Sequence, residues 1–190
     1  MARRVYNFEH PDRFTAGTVG EPGNRSFYLQ VREGDRISSV LLEKIQVALL
    51  AERLAQLLSE IHDRGVDLPA EPSPADLDRG SLDEPINELF RVGSMTIVWN
   101  GDDQSVTLEA RALGDDEEAV ENAFDADDDD DDEDDENLDV MRVHLSPVAA
   151  SAFARRAGEV VAAGRPPCPF CGQPLNPEGH ICTRRNGFMH

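Results

Sequence analysis

Val40–Leu58, VLLEKIQVALLAERLAQLL, lies without a gap on Val143–Val161, VHLSPVAASAFARRAGEVV, and this fit decides how the chain is read. Each stretch leaves a β-type run and enters a helix. In the first, Ile45, Leu49, Leu50, Leu54, Leu57, Leu58 and Ile61 recur at helical spacing and form one broad apolar face. That helix is expected over Glu43–Arg64, with Gly65 where a C-terminal cap belongs. In the second, Ser146 is a good N-cap, Pro147 suits the first turn and Gly164 the end, so a helix is expected over Pro147–Ala163. The alignment sets Lys44 on Pro147, Ile45 on Val148, Leu50 on Phe153, Arg53 on Arg156 and Leu57 on Val160.

Working outward, strands are expected near Arg4–Phe8, Arg13–Thr18, Ser26–Arg32 and Arg36–Leu42, separated by the turn-rich VGEPGN and EGD. A second set is expected near Phe90–Trp99, Ser105–Leu113 and Val140–Leu145, the first two joined by NGDD. FTAG (Phe14–Gly17) matches FRVG (Phe90–Gly93), and FYLQVR (Phe27–Arg32) can be laid on VTLEAR (Val106–Arg111). The shared order predicts an α+β protein built from a duplicated antiparallel β-sheet–helix unit about a pseudo-twofold, with a C-terminal zinc knuckle. The expected organisation is a first repeat over 1–66, a Pro-rich linker over 67–85, a second repeat over 86–164 and a tail over 165–190.

The net charge of −20 is not spread over the chain. Residues 115–139 hold 17 of the 38 acids and no base, which leaves 21 acids against 18 bases elsewhere. Under the duplication the acidic run, 115–138, is an expanded hairpin loop. So many like charges in a row cannot be buried, and the loop is expected to be disordered. No apolar stretch reaches the length needed to span a bilayer and MARRVYNFEHPDRF has no apolar signal core, so a cytoplasmic protein is expected.

All three cysteines fall in CPFCGQPLNPEGHIC, Cys168–Cys182. Cys168 and Cys171 have C-x2-C spacing, and Gly172 permits a left-handed turn beneath them. His180 and Cys182 are two apart, so in extended chain both point to one side. A Cys3His zinc site follows, with His190 as a substitute ligand. Four ligands from one short segment make a closed, structural site, with iron or a redox pair as rival readings. Immediately beyond lie Arg184, Arg185 and Phe188, candidate contacts for a protein partner or, less favoured, for nucleic acid.

No catalytic triad, phosphate loop or carboxylate pair is recognisable, so the leading reading is a binding or adaptor protein without catalytic residues. The alternatives are single-stranded nucleic-acid binding, or a small-molecule enzyme with a pocket between the repeats, using Glu9, His10, Arg25, Glu43 and Lys44. NFEHPDRF also gathers Asp12 and Arg13 beside Glu9 and His10; a turn with surface charges is the plainer reading. Arg155 and Arg156 are expected on the solvated face of the second helix.

The opening RRVYNFEHPDRFTAGTVGEPGNRSFYLQ, the SSVLLEKIQVALLAERL helix and the closing CPFCGQPLNPEGHICTRRNG together resemble an uncharacterised actinobacterial family, domain of unknown function 3090. The resemblance implies no activity and no catalytic residues. It implies a possible partner, because such proteins are often encoded near a histidine-phosphatase-like and a kinase-like protein.

Overall fold

A computed structural model describes residues 3–68, 72–73, 77–114, 137–164 and 168–171. The calls on the acidic loop, apart from Asn137 and Leu138, and on His180, Cys182, Arg184, Arg185, Phe188 and His190 lie outside the described residues. Seven strands and two helices follow in the order β1 (Val5–Phe8), β2 (Arg13–Glu21), β3 (Asn24–Glu33), β4 (Arg36–Leu42), α1 (Lys44–Asp63), β5 (Glu88–Asn100), β6 (Ser105–Ala112), β7 (Val140–Leu145) and α2 (Pro147–Ala162). The architecture is mixed α+β. None of the described helices is long and apolar enough to cross a membrane.

The strands form one sheet in the order β1-β7-β6-β5-β4-β3-β2. Pairing is antiparallel within β2-β3-β4 and within β5-β6-β7, as expected, but parallel at two junctions, β4 to β5 and β1 to β7. β1, grouped by sequence with the first half, thus pairs with the last strand of the second.

Laid flat, this sheet would separate β1 from β2 by about 29 Å, six spacings of roughly 4.8 Å. The five Cα steps from Phe8 to Arg13 reach at most about 18 Å. The sheet is therefore curled so that its two edges approach, an open barrel whose seam is the short connection Glu9–Asp12.

The seam has a counterpart. β5 starts as a parallel neighbour of β4 (Ser39 opposite Glu88, Leu41 opposite Arg91) and then becomes the antiparallel partner of β6 from Val92, with a register shift at Gly93. β1 is likewise a parallel neighbour of β7, and after the seam β2 becomes the antiparallel partner of β3. One hand-over is made by a continuous strand, the other by a broken one.

Both helices pack on each other, and α2 also lies against β2, β6 and β7 across the seam. Val47, Leu50 and Leu54 of α1 and Ala150, Phe153 and Ala157 of α2 join the strand residues in a single apolar core. α1 ends as its sequence predicts: Gly65 takes φ +86°, and the Val66 N–H bonds back to Ile61 O at 3.3 Å.

The described part of the Pro-rich segment is docked rather than free. Leu77 and Leu82 are buried. Gly17 is what admits Leu82, since a Cβ there would meet its side chain at 2.6 Å. Buried Gln30 pairs with the Asp83 backbone in both directions, donating to its O at 3.0 Å and accepting from its N–H at 2.7 Å. Residues 77–83 form a strap over β2 and β3.

Candidate functional site at the strand break

The seam is pinned from outside. The His10 N–H donates to Glu33 Oε1 at 2.7 Å, the Gly34 N–H to Asp12 Oδ2 at 2.7 Å, and the Asp12 N–H to Arg32 O at 2.8 Å. Arg36 donates to Asn7 O, pairs with Glu33 at 2.8 Å and sits 3.9 Å above the Phe8 ring. The β3–β4 turn thus pins the broken stretch from one side.

Behind the seam opens a cleft of about 640 Å³. Its walls are the seam itself, His144 and Ser146 at the end of β7, Ala149 and Arg156 on α2, and Asp78 on the strap. Ser146, Ala149, Phe153 and Arg156 recur three or four apart, so one stripe of α2 faces the cleft. Ala149 leaves space where a longer side chain would fill it.

His144 is oriented by a chain of hydrogen bonds. Asn100 Nδ2 donates to Thr107 Oγ1 at 2.8 Å, and Thr107 Oγ1 lies 3.1 Å from His144 Nδ1. His144 Nε2 faces Glu9 Oε2 at 3.6 Å, and a carboxylate there favours the ring form that carries hydrogen on Nε2, with the Thr107 hydroxyl turned to donate to Nδ1. That separation is longer than a hydrogen bond. A donor and an acceptor therefore stand side by side at the cleft mouth.

The far wall is an ion network. Arg13 Nε meets Asp78 Oδ2 at 2.6 Å and Arg13 Nη1 meets Asp83 Oδ1 at 3.1 Å, while Arg32 reaches Asp83 at 3.4 Å. Burial alone would raise the Asp78 carboxyl, but hydrogen bonds from Arg13 and the Gly80 N–H outweigh it and hold the group below its ordinary value. A depressed folded-state value contributes stability above the unfolded value, about 3.9, and loses it as pH falls through the folded one. Asp78→Asn should accordingly cost about 1–2 kcal/mol at pH 7. The gap in melting temperature from the parent should close as the medium is acidified below pH 4; a gap that persists at pH 2–3 refutes this.

The cleft gathers Glu9 and His10, together with Asp12 and Arg13. It does not gather the other three residues of the enzyme reading. Arg25 donates to Ala163 O at 2.8 Å at the end of α2, and Lys44 Nζ lies beside Gly164. These cations suit the negative end of a helix. Glu43 precedes α1 and pairs with Arg91. The two arginines of α2 are not simply solvated, contrary to expectation. Arg155 donates to Pro72 O at 3.1 Å, while Arg156 contacts Gly80 O at 3.4 Å and lines the cleft. Sequence reasoning missed His144, Thr107 and Asp78. His144 shares the polar face of VMRVHL with Arg142, but only the parallel β1–β7 pairing brings Glu9 beside it.

In the tail, Cys168 is buried and a turn runs over Pro169–Cys171, where the Phe170 N–H donates to Cys168 Sγ at 3.5 Å. Among the described residues no group of three or more His, Cys, Asp and Glu side chains is placed to hold a metal ion.

No curated protein and no solved structure matches the chain. A family model does: that of DUF3090, described as a protein of unknown function, over residues 6–182. The match begins inside β1 and ends on the last cysteine, so it takes in the seam, the cleft and the whole cysteine-bearing segment. This chain belongs to the DUF3090 family.

Proposed function

We propose that the protein is a non-enzymatic binding protein that takes a small polar molecule into the cleft at the β1–β2 seam. One observation carries the reading: the seam leaves a space of about 640 Å³ faced by an oriented histidine and a carboxylate. Its walls are fixed by hydrogen bonds before any ligand arrives, which limits the ordering cost of binding. Binding is favoured over catalysis because the nearby hydroxyls are occupied. Ser146 Oγ accepts from the Ala149 N–H as a helix cap, and Thr107 is buried behind His144. Crystals of the full chain soaked with a polar fragment library test this: fragments should collect between Glu9, His144 and Ala149. Fragments ordered only elsewhere on the surface count against it.

The duplicated unit belongs to the same proposal. Its support is the offset between the helices: Val47, Leu50, Ala51 and Leu54 are buried, and so are Ala150, Phe153, Ala154 and Ala157, each exactly where the gapless alignment sets it. The two strand hand-overs also come at the same point in the element order of each half.

The tail is proposed as a structural zinc knuckle held by Cys168, Cys171, His180 and Cys182. Support comes from the ligand spacing and from the turn at Pro169–Cys171, where the Phe170 N–H is directed at the Cys168 sulfur. Elemental analysis of protein purified without added metal should find about one zinc per chain; none would remove the knuckle from the reading. Arg184, Arg185 and Phe188 remain the proposed contacts for a protein partner, phosphatase-like or kinase-like, ahead of nucleic acid.

A further inference from the structure

Resting on the cleft reading above, we propose that the ligand presents a primary carboxamide, recognised by Glu9 and His144. Three observations converge on it. The first is the pair at the cleft mouth. His144 Nε2–H is a donor and Glu9 Oε2 an acceptor, 3.6 Å apart. A carboxamide offers the complementary edge, an oxygen for His144 and an N–H for Glu9. A ligand carboxylate in the same place would satisfy His144 and be repelled by Glu9.

The second is charge balance. Of the cleft's ionic residues, Glu9, Asp12 and Asp78 oppose Arg13, Arg32 and Arg156. Arg13 and Arg32 are already tied to Asp78 and Asp83. The cleft therefore has no net formal charge to offer a ligand ion.

The third is what occupies the matching place in the other half. The third helical residue of α1 is Gln46, and the third of α2 is Ala149. Gln46 is fully buried, and its own carboxamide fills the β4-to-β5 hand-over. Oε1 accepts from the Glu43 N–H at 2.9 Å, and Nε2 donates to Val92 O at 3.2 Å and Gly93 O at 3.3 Å. At the seam, Ala149 supplies no such group. The Ser146 N–H, counterpart of Glu43 N–H, has no partner among the described residues. The seam carbonyls of Glu9, His10 and Pro11 accept no hydrogen bond from them either. One half carries a built-in carboxamide; the other leaves the corresponding space open with a donor and acceptors around it.

The test is ligand-observed NMR titration of the full chain with nicotinamide and nicotinate, which share a ring and differ in amide against acid. Nicotinamide should bind at least roughly tenfold more tightly. Glu9→Gln, at an exposed position outside the core, should narrow the ratio to within about threefold, because a side-chain amide can turn its N–H toward the acid. Equal or tighter binding of nicotinate to the parent overturns the carboxamide assignment, as does a preference unchanged in Glu9→Gln. Failure of both probes to bind also overturns it, while the fragment-soaked crystals judge the cleft separately.

Discussion

Phe153→Ala should destabilise the protein by about 3–5 kcal/mol, the range for deleting a buried aromatic ring. Phe153 is 1% exposed and stacks on Phe14 with ring centroids 4.4 Å apart. The pair joins α2 to β2 across the seam, where no backbone ladder helps. Truncation removes transfer energy and dispersion together, and the surrounding strands are too constrained to collapse into the hole. In a chain of this size each kcal/mol shifts the melting temperature by about 2–4 °C, so a drop on the order of 10 °C is expected in calorimetry. A shift under 3 °C would mean that α2 does not close the seam through this ring. Phe153→Leu keeps much of the volume and should recover at least half the loss.

Gln46→Leu should cost about 2–4 kcal/mol although it keeps side-chain size. The substitution removes three hydrogen bonds at a site with no exposure and strands the Val92 and Gly93 carbonyls with the Glu43 N–H. Unmet buried polar groups are costlier than the bonds were favourable. The measurement is urea unfolding, with the midpoint falling at constant slope. A Gln46→Leu protein as stable as its parent would show that Gln46 is a passive filler. It would also weaken the parallel drawn with the seam.

Much of this architecture was legible in the sequence. The helix expected over Glu43–Arg64 runs over Lys44–Asp63, and the one expected to begin at Pro147 does so under a Ser146 cap. Apolar periodicity and capping chemistry are local signals, and both helices carry them. The strands were legible for the same reason, from alternation and turns. What no local pattern encodes is the partner of VYNF. Its parallel pairing with β7 is fixed by topology, and the cleft exists only because of that pairing. NFEHPDRF reads most plainly as a turn with surface charges, because the residue that gives Glu9 a counterpart, His144, lies far along the chain. The strap was legible only as extended backbone, because prolines report conformation while the burial of Leu77 and Leu82 depends on a gap created at Gly17. Arg155 and Arg156 were misjudged for a related reason: helical spacing identifies a polar face but not what lies over it.

The β1–β7 pairing also sets an order of events during synthesis. The units β2-β3-β4-α1 and β5-β6-β7-α2 are each built from near neighbours in the chain, whereas the Arg4 N–H bonds to an Asp139 oxygen 135 residues away. Contacts of that separation pay a large loop-closure cost before they return anything. β1 therefore waits for a partner that is made long after it. Until β7 is made, the leading residues have no edge to join, and the vestibule that holds Glu9 against His144 cannot yet exist. The cleft is thus a late product of the fold, completed only when β1 meets β7.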